Sequence, residues 1–210
     1  MKNKWFTPSV AISILVAVYA VGLLGFLFAP GFFQKLTPLN IVCSAILLFL
    51  FHKNWSPKFL LYTGVAAISG FLVEWLGVTT GFVFGTYSYG SGLGWKLFEI
   101  PLLIGLNWLV LLYCVGTMAG TIKVPWWFQA FIGAALMVLI DLLLEPFAIK
   151  FDLWSWASAT IPFQNYMAWF IISLLLLLPF HYYQLHEQNK VAGALYFIQF
   201  VFFLFIFLFV

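Results

Sequence analysis

Charge is scarce in this chain. Only 7% of its 210 residues are Asp, Glu, Lys or Arg, no arginine occurs, and 65% are hydrophobic. Soluble domains carry roughly 25% charged residues, so a water-soluble fold is excluded. The nine lysines sit at the ends of apolar segments and the net charge is only +3, which excludes a nucleic-acid-binding protein. The composition predicts a polytopic membrane protein whose solvent is the lipid bilayer.

Common metal and nucleotide motifs are also missing. The three histidines form no HxxxH, HxxHH or HExxH pattern, which argues against di-iron hydroxylases, desaturases and zinc hydrolases. The chain has no Asp-rich pair for magnesium-bound diphosphate, no dinucleotide fingerprint and no Ser–His pair near its acids. Cys43 and Cys114 lie in separate apolar segments and are interpreted as core residues. The sequence therefore predicts no metal and no cofactor, which leaves acid–base chemistry by carboxyl groups.

Seven apolar segments predict an all-α fold, a transmembrane bundle of about seven helices in a single domain, residues 1–210. The predicted segments cover residues 8–29, 39–51, 58–79, 100–118, 125–147, 166–181 and 191–210. With the N-terminus inside, six lysines, among them Lys2 and Lys4, lie on the inner side and three on the outer side. This excess predicts an inner N-terminus and an outer C-terminus, in a multi-pass protein of the cell inner membrane.

Three acids interrupt the apolar segments: Glu74 in the third, and Asp141 and Glu145 one helical turn apart in the fifth. A charged side chain in hydrocarbon costs about 2.5–3.5 kcal/mol even on lenient insertion scales, so such residues usually face an interior and have a function. Glu74 and Asp141 each lie roughly 24 Å from the start of their helices, and Asn107 and Asn165 enter from the same side. We expect Glu74, Asn107, Asp141 and Asn165 to line one cavity toward the outer ends of the helices, open to lipid.

An aromatic–Ser–aromatic triplet follows each acid-bearing segment. The triplets are residues 87–89 (YSY) and 154–156 (WSW), and each is followed by Ile-Pro and then by an Asn and a Trp. This order predicts a parallel repeat of two helical hairpins, related by an axis along the membrane normal. Pro146 is expected to disturb the helix directly after Glu145, and the glycine-rich residues 81–99 are expected to be irregular.

The remaining polar and small residues are given structural interpretations. Five are interpreted as surface groups: Glu99, Asp152, Glu187, His181 and His186. Three glycines at every fourth position are interpreted as a close-packing ridge: Gly77, Gly81 and Gly85.

Five sequence blocks resemble the small integral-membrane carotenoid biosynthesis family. They are EWLGVTTGFVFGTYSY (residues 74–89), PLLIGLNW (101–108), DLLLEP (141–146), WSW (154–156) and PFQNYMAW (162–169). The blocks occur in order over the middle half of the chain, whereas the first two segments and the last show nothing distinctive. The known members are carotenoid hydratases, including bisanhydrobacterioruberin hydratases. The resemblance implies a cofactor-independent hydro-lyase whose substrate is lycopene-like or a one-ended cyclic carotene, with other carotenoid biosynthesis enzymes as partners.

Hydration of a terminal isopropylidene double bond suits the acids of this chain. It needs a dry acid to protonate the alkene, aromatic faces around the tertiary cation, and a positioned water. Asp141 is assigned as the proton donor, with Glu74 or Glu145 positioning the water and Asn107 and Asn165 orienting it. The aromatic residues expected to contact the substrate are Tyr87, Tyr89, Trp108, Trp154, Trp156 and Trp169.

Two other classes of protein stay open. A cofactor-free carotenoid cyclase or isomerase would use the same protonation without capturing water. A proton-coupled transporter would also need buried acids, but it would expose them to both sides of the membrane in turn, whereas the polar groups here gather toward one side. A pure scaffold for other pigment enzymes would leave the acids without a role.

Overall fold

The computed structural model of the chain describes residues 6–158 and 160–209. Within these ranges the chain forms eight helices: α1 (Pro8–Phe28), α2 (Pro30–Gln34), α3 (Thr37–Phe49), α4 (Pro57–Thr80), α5 (Leu103–Ala119), α6 (Trp126–Lys150), α7 (Phe163–Tyr182) and α8 (Lys190–Phe209). Four short strands accompany them: β1 (Tyr87–Tyr89), β2 (Lys96–Leu97), β3 (Ile100–Pro101) and β4 (Trp154–Trp156). Val210 lies outside the described residues, as do Lys2 and Lys4, which were counted in predicting the orientation of the chain in the membrane.

The all-α transmembrane bundle predicted from the sequence is confirmed. Among the described residues, five helices are long and apolar enough to cross a membrane, namely α1, α4, α6, α7 and α8. Helices α3 and α5 are also apolar but have only 13 and 17 residues. The seven predicted segments correspond to α1 and α3–α8, and no boundary differs by more than three residues. The five-residue helix α2 was not predicted.

Local sequence signals explain where the long helices begin and end. Thr7 and Ser56 cap α1 and α4, because each side-chain oxygen accepts a hydrogen bond from the backbone N–H three residues later. Each cap is followed by a proline at the first helical position. Helix α4 ends at Gly81, whose φ of +65° is a left-handed conformation that glycine adopts without strain.

Pro146 does not end α6, contrary to the disturbance expected there. The helix continues through it to Lys150. Phe147 and Ala148 directly after the proline are buried, so packing holds this last turn in place despite the missing backbone hydrogen bond. Glu145 and the residues leading into β4 are therefore positioned by one continuous helix.

The two aromatic–Ser–aromatic triplets pair with each other as antiparallel strands. Tyr87 lies opposite Trp156, Ser88 opposite Ser155 and Tyr89 opposite Trp154. This register is symmetric about the two serines and is compatible with a two-fold axis between the hairpins α4–β1–α5 and α6–β4–α7. Glu74 and Asp141 each precede the serine of their own triplet by fourteen residues. We call the end of the bundle that carries β1 and β4 the strand end.

Glycine allows close packing within the first hairpin. A Cβ atom at Gly105 of α5 would clash with the backbone oxygen of Ala67 on α4. Small residues let transmembrane helices approach closely, and this approach brings Trp108, one turn after Gly105, against α4. Gly64, also on α4, is exposed and has no other group within 4 Å of its Cβ position.

We expect Gly105→Val to destabilise the protein, because a branched side chain would have to push α5 away from the α4 backbone. Overpacking of this kind costs about 1–3 kcal/mol or more. Thermal unfolding of the purified protein in detergent would show a lower midpoint than the wild type. Gly64→Val is the matched control and should leave the midpoint unchanged. Equal midpoints for the two variants would contradict the close α4–α5 contact.

Two residues interpreted as surface groups are buried or bonded at the opposite end of the bundle. Glu187 accepts hydrogen bonds from the backbone N–H groups of Lys53 and Asn54, at 2.6 and 3.3 Å, and its Oε1 lies 3.0 Å from Nδ1 of His52. It therefore ties the α3–α4 loop to the α7–α8 loop. His181 is only 1% exposed, because its ring packs against Phe180 in the turn that closes α7. The interpretation of His181 as a surface group is wrong. Glu187 lies in a loop as interpreted, but it is hydrogen-bonded and only partly exposed, whereas Glu99 and Asp152 are exposed.

Candidate active site

Glu74 is held by three hydrogen-bond donors near the strand end of α4. Its Oε2 accepts from the hydroxyls of Tyr87 at 2.5 Å and Tyr89 at 2.7 Å, and its Oε1 accepts from Nε1 of Trp108 at 2.9 Å. Side chains alternate along a strand, so the two tyrosines of β1 lie on the same face, which is turned toward α4. Glu74 as a whole is only 4% exposed, and all donors to its carboxyl group are aromatic side chains.

Glu145 on α6 has a matching arrangement with β4. Its Oε2 accepts hydrogen bonds from Nε1 of Trp154 at 3.0 Å and of Trp156 at 2.8 Å. Its Oε1 accepts a longer bond, 3.4 Å, from Nδ2 of Asn165 on α7. Each triplet thus binds, through both of its aromatic residues, a carboxyl group on the helix that precedes it.

The strand pairing brings these two carboxyl groups to the same place. The rings of Tyr87 and Trp156 lie 5.1 Å apart and those of Tyr89 and Trp154 lie 5.9 Å apart. Beneath them the indoles of Trp108 and Trp169 stack, with centroids 4.3 Å apart and planes 23° from parallel. These rings form an aromatic layer across the two hairpins.

Asp141 lies one helical turn before Glu145 and deeper in the bundle. It is fully buried, and its Oδ2 accepts a hydrogen bond from Nδ2 of Asn165 at 2.8 Å. Within residues 6–158 and 160–209, its Oδ1 has no hydrogen-bond partner. The same Asn165 amide nitrogen therefore touches both carboxyl groups of α6.

A small cavity of about 20 Å³ lies between the acids. Its lining residues are Glu74, Phe84, Tyr87, Tyr89, Ile104, Asn107, Leu144, Glu145, Trp154, Trp156, Asn165 and Trp169. A water molecule needs about 10–15 Å³ of such space and several polar partners, so this cavity has room for one water between two carboxyl groups and two amides. We call it the acid cavity.

Most of the predicted site residues line the acid cavity, but two do not. Asp141 was expected in the cavity, yet Glu145 takes that position and Asp141 lies behind Asn165. Trp108 is fully buried, and it donates a hydrogen bond to Glu74 instead of lining the cavity. Phe84, Ile104 and Leu144 line the cavity without having been predicted. Ile104 and Leu144 are apolar residues in apolar segments, and Phe84 is one of several apolar residues in the glycine-rich residues 81–99, so none carries a distinguishing sequence signal.

A much larger groove of about 430 Å³ adjoins the acid cavity. Four residues line both spaces: Ile104, Asn107, Leu144 and Trp154. Helices α1, α3 and α8 supply most of the remaining wall, which is rich in phenylalanine and aliphatic side chains. The volume falls within the range of ligand pockets, and its apolar lining suits an apolar ligand. We call it the apolar groove. Asn107 lies at the junction of the two spaces.

Within residues 6–158 and 160–209, no lysine pairs with Glu74, Asp141 or Glu145. In the part of the chain that the structure describes, the only lysine–carboxylate pair joins Lys96 and Glu99, and no group of three metal-ligating side chains occurs. The tyrosines of β1 remain donors, because burial and then the nearby Glu74 raise the pKa of both Tyr87 and Tyr89. Buried carboxyl groups without a cation cost least when they retain protons between them, so the arrangement suits proton transfer.

Comparison with known proteins identifies similar chains. Residues 36–210 match the sequence model of a family described as carotenoid biosynthesis protein. The chain is also 29% identical over 123 residues to a bisanhydrobacterioruberin hydratase of Haloarcula japonica. That match covers 52% of this chain and 40% of the relative, so the chain spans well under half the length of the curated protein it matches. No solved structure matches the chain.

Proposed function

Because the chain belongs to the carotenoid biosynthesis protein family, we propose that it is a carotenoid hydratase, which adds water across the terminal isopropylidene double bond of an acyclic carotenoid end group. One observation carries the proposal: a water-sized cavity between Glu74 and Glu145 adjoins an apolar groove, and Asn107 lines both. The name of the Haloarcula relative, a hydratase, supports the same reaction.

The apolar groove would hold the polyene, with its reacting end at the junction and the water in the acid cavity. The hydrocarbon chain contacts the phenylalanines of α1, α6 and α8, and the terminal double bond reaches the junction at Asn107. An isopropylidene group is small and apolar, so it can lie at this junction against Trp154 and Leu144. Water is admitted only in the quantity that the reaction consumes, because the cavity has room for one molecule.

Protonation begins at the α6 carboxyl pair. Glu145 lies at the cavity wall and Asp141 one turn away, and two buried carboxyl groups joined by one amide share a proton readily. Glu145 donates that proton to the terminal alkene carbon that bears hydrogen, and the π electrons form the new C–H bond. The neighbouring carbon becomes a tertiary cation, which the faces of Trp154, Trp156 and Trp169 stabilise.

Water capture completes the reaction on the opposite wall. Glu74, held by three donors, is best suited to remain a carboxylate and to accept a hydrogen bond from the water. The water oxygen attacks the cation, and Glu74 takes the excess proton as the tertiary alcohol forms. A second water entering the cavity would return the proton to Glu145, so the cycle consumes one water and no electrons. It therefore needs neither a metal nor a redox cofactor.

The product of lycopene-accumulating cells tests this proposal. Cells that make this protein should contain a more polar pigment that is heavier by one water, with an almost unchanged visible spectrum, because the terminal double bond is isolated from the conjugated chain. Chromatography with mass spectrometry measures this against cells with an empty vector. A new isomer of unchanged mass would instead indicate a cyclase, and an unaltered pigment in the presence of folded protein would contradict any hydration of lycopene.

The location and associations follow from the same proposal. The chain is a multi-pass membrane protein by its five long apolar helices, and we assign it to the cell inner membrane, next to the enzymes that supply its substrate. Separation of inner and outer membranes, followed by detection of a tagged chain, tests the assignment.

A further inference from the structure

A buried histidine joins helices α3 and α8 at the end of the bundle opposite the strand end. His52 follows the last residue of α3 by three positions and is only 5% exposed. Its Nε2 lies 2.9 Å from the backbone oxygen of Asn54, and its Nδ1 lies 3.0 Å from Oε1 of Glu187, in the loop before α8. Residues of α3 and of α8 line the apolar groove, so this contact links two of its walls.

The partners of the ring indicate that His52 carries a proton on both nitrogens. A carbonyl oxygen can only accept a hydrogen bond, so Nε2 is the donor to Asn54. An ionised carboxyl group can also only accept, and Glu187 already accepts from the backbone N–H groups of Lys53 and Asn54 at 2.6 and 3.3 Å. Nδ1 is therefore a donor as well, and both ring nitrogens donate at once only in the imidazolium ion.

The other groups packed against the ring suit a cation. Phe59 stacks on His52 with ring centroids 3.7 Å apart and planes 17° from parallel, and the face of an aromatic ring attracts a cation. The hydroxyl of Tyr113 on α5 lies 2.9 Å from Nδ1 and can accept a share of its hydrogen bond. Trp55 meets the ring edge to face and does not titrate. Among these contacts Glu187 supplies the negative charge.

A second side chain reinforces the link between the two helices. Asn189, directly before α8, donates from Nδ2 to the backbone oxygen of Leu48 on α3 at 3.0 Å and to the Tyr113 hydroxyl at 3.2 Å. Its Oδ1 accepts a hydrogen bond from the backbone N–H of Val191 at 3.0 Å. The end of α3 and the start of α8 are therefore joined through side chains, and the pair of His52 and Glu187 is the charged part of this junction.

We propose that His52 and Glu187 form a pH-sensitive latch, closed while His52 is protonated, that fixes the adjoining ends of α3 and α8. A neutral imidazole would turn a lone pair toward Asn54 or toward Glu187, and an unmet acceptor in a buried contact is unfavourable. Histidine changes charge between about pH 5 and 8. The latch therefore contributes its full stability at the acidic end of this range and loses it as the pH rises. It holds whether or not the chain hydrates carotenoids.

The test is a double-mutant cycle on the full chain purified in detergent. The variants are His52→Gln, Glu187→Gln and the two together, and the midpoint of thermal unfolding is measured at about pH 5.5, 7 and 8.5, which spans the titration of histidine. The matched control replaces His52→Gln by His186→Gln in the same cycle. His186 lies next to Glu187 in the chain, but its ring packs against His181.

At the lowest pH each single variant should unfold about 4–10 °C below the wild type, and the double variant no lower than the singles, because each change removes the same buried ion pair. At the highest pH the coupling between the two substitutions should fall below about 2 °C. The control cycle should show no such pH-dependent coupling. A coupling of equal size at all three pH values would indicate a neutral hydrogen bond and overturn the proposal, as would no coupling at the lowest pH.

Hydrogen exchange of the wild type supplies a measurement that needs no variant. The backbone N–H groups of Lys53 and Asn54 are bound by Glu187, so their protection reports the closed latch. After correction for the intrinsic pH dependence of exchange, protection of residues 50–56 should fall as the pH rises, whereas residues 81–86 at the strand end should keep theirs. Protection of residues 50–56 that does not change with pH would contradict the latch.

Discussion

Glu145→Gln is expected to remove the proposed hydration activity while the protein stays folded and inserted. The amide keeps the shape of the side chain, and its oxygen can still accept hydrogen bonds from Trp154 and Trp156, but its N–H groups are far too weakly acidic to protonate an alkene. Loss of a general acid typically costs about 10²–10⁴-fold in rate. Pigment analysis of cells that accumulate lycopene, with protein levels determined from the membrane fraction, measures the effect.

Three further variants make this result specific. Asp141→Asn should also abolish hydration, because the α6 pair then loses the residue with which Glu145 shares its proton. Glu74→Gln should impair it strongly. Glu99→Gln is the control. It is the same substitution at a residue whose side chain is 85% exposed, so activity should be unchanged. Full activity in Glu145→Gln together with inactivity in Asp141→Asn would make Asp141 the donor, and full activity in both would refute the carboxyl mechanism.

Gly22→Trp is expected to block the apolar groove. Gly22 lines it on α1, and a Cβ there would meet only the Phe202 ring at an ordinary 3.9 Å, so Gly22→Ala should be tolerated. An indole would extend into the space that the proposed polyene substrate would occupy. Even one methylene too many in an apolar pocket can cost roughly 10–200-fold, so we expect the tryptophan variant to lose nearly all turnover.

The control for this prediction is Gly64→Trp. Gly64 is exposed on α4 with no other group within 4 Å of its Cβ position, so the same side chain there would lie outside the groove. The Gly64→Trp variant should therefore hydrate lycopene at the wild-type rate. Hydration rates and retained pigment should fall together in Gly22→Trp, because a blocked groove prevents binding itself. Normal pigment retention with normal turnover would show that the substrate lies elsewhere.

Composition and residue patterns determined the class of this protein. The scarcity of charge requires lipid as solvent, and seven apolar segments bounded by prolines, glycines and lysines gave helices whose ends the structure moves by three residues or fewer. Acids in apolar segments are costly enough that Glu74, Asp141 and Glu145 stood out without any structure. The five ordered blocks indicated the family, which the match over residues 36–210 confirms. These signals are local, and each is contained in one helix or one short run of residues.

Only the tertiary structure decided how those residues meet. Asp141 and Glu145 lie on one helix face and the sequence does not distinguish their roles. In the structure both are buried and both contact Asn165 of α7, but only Glu145 lines the acid cavity. The pairing of β1 with β4 joins residues that are more than sixty positions apart, and no local pattern specifies such a register. The apolar groove is formed mainly by α1, α3 and α8, of which α1 and α8 are apolar around most of their circumference. Such helices show no periodicity that distinguishes a ligand-facing side from a lipid-facing side, so packing alone creates the groove.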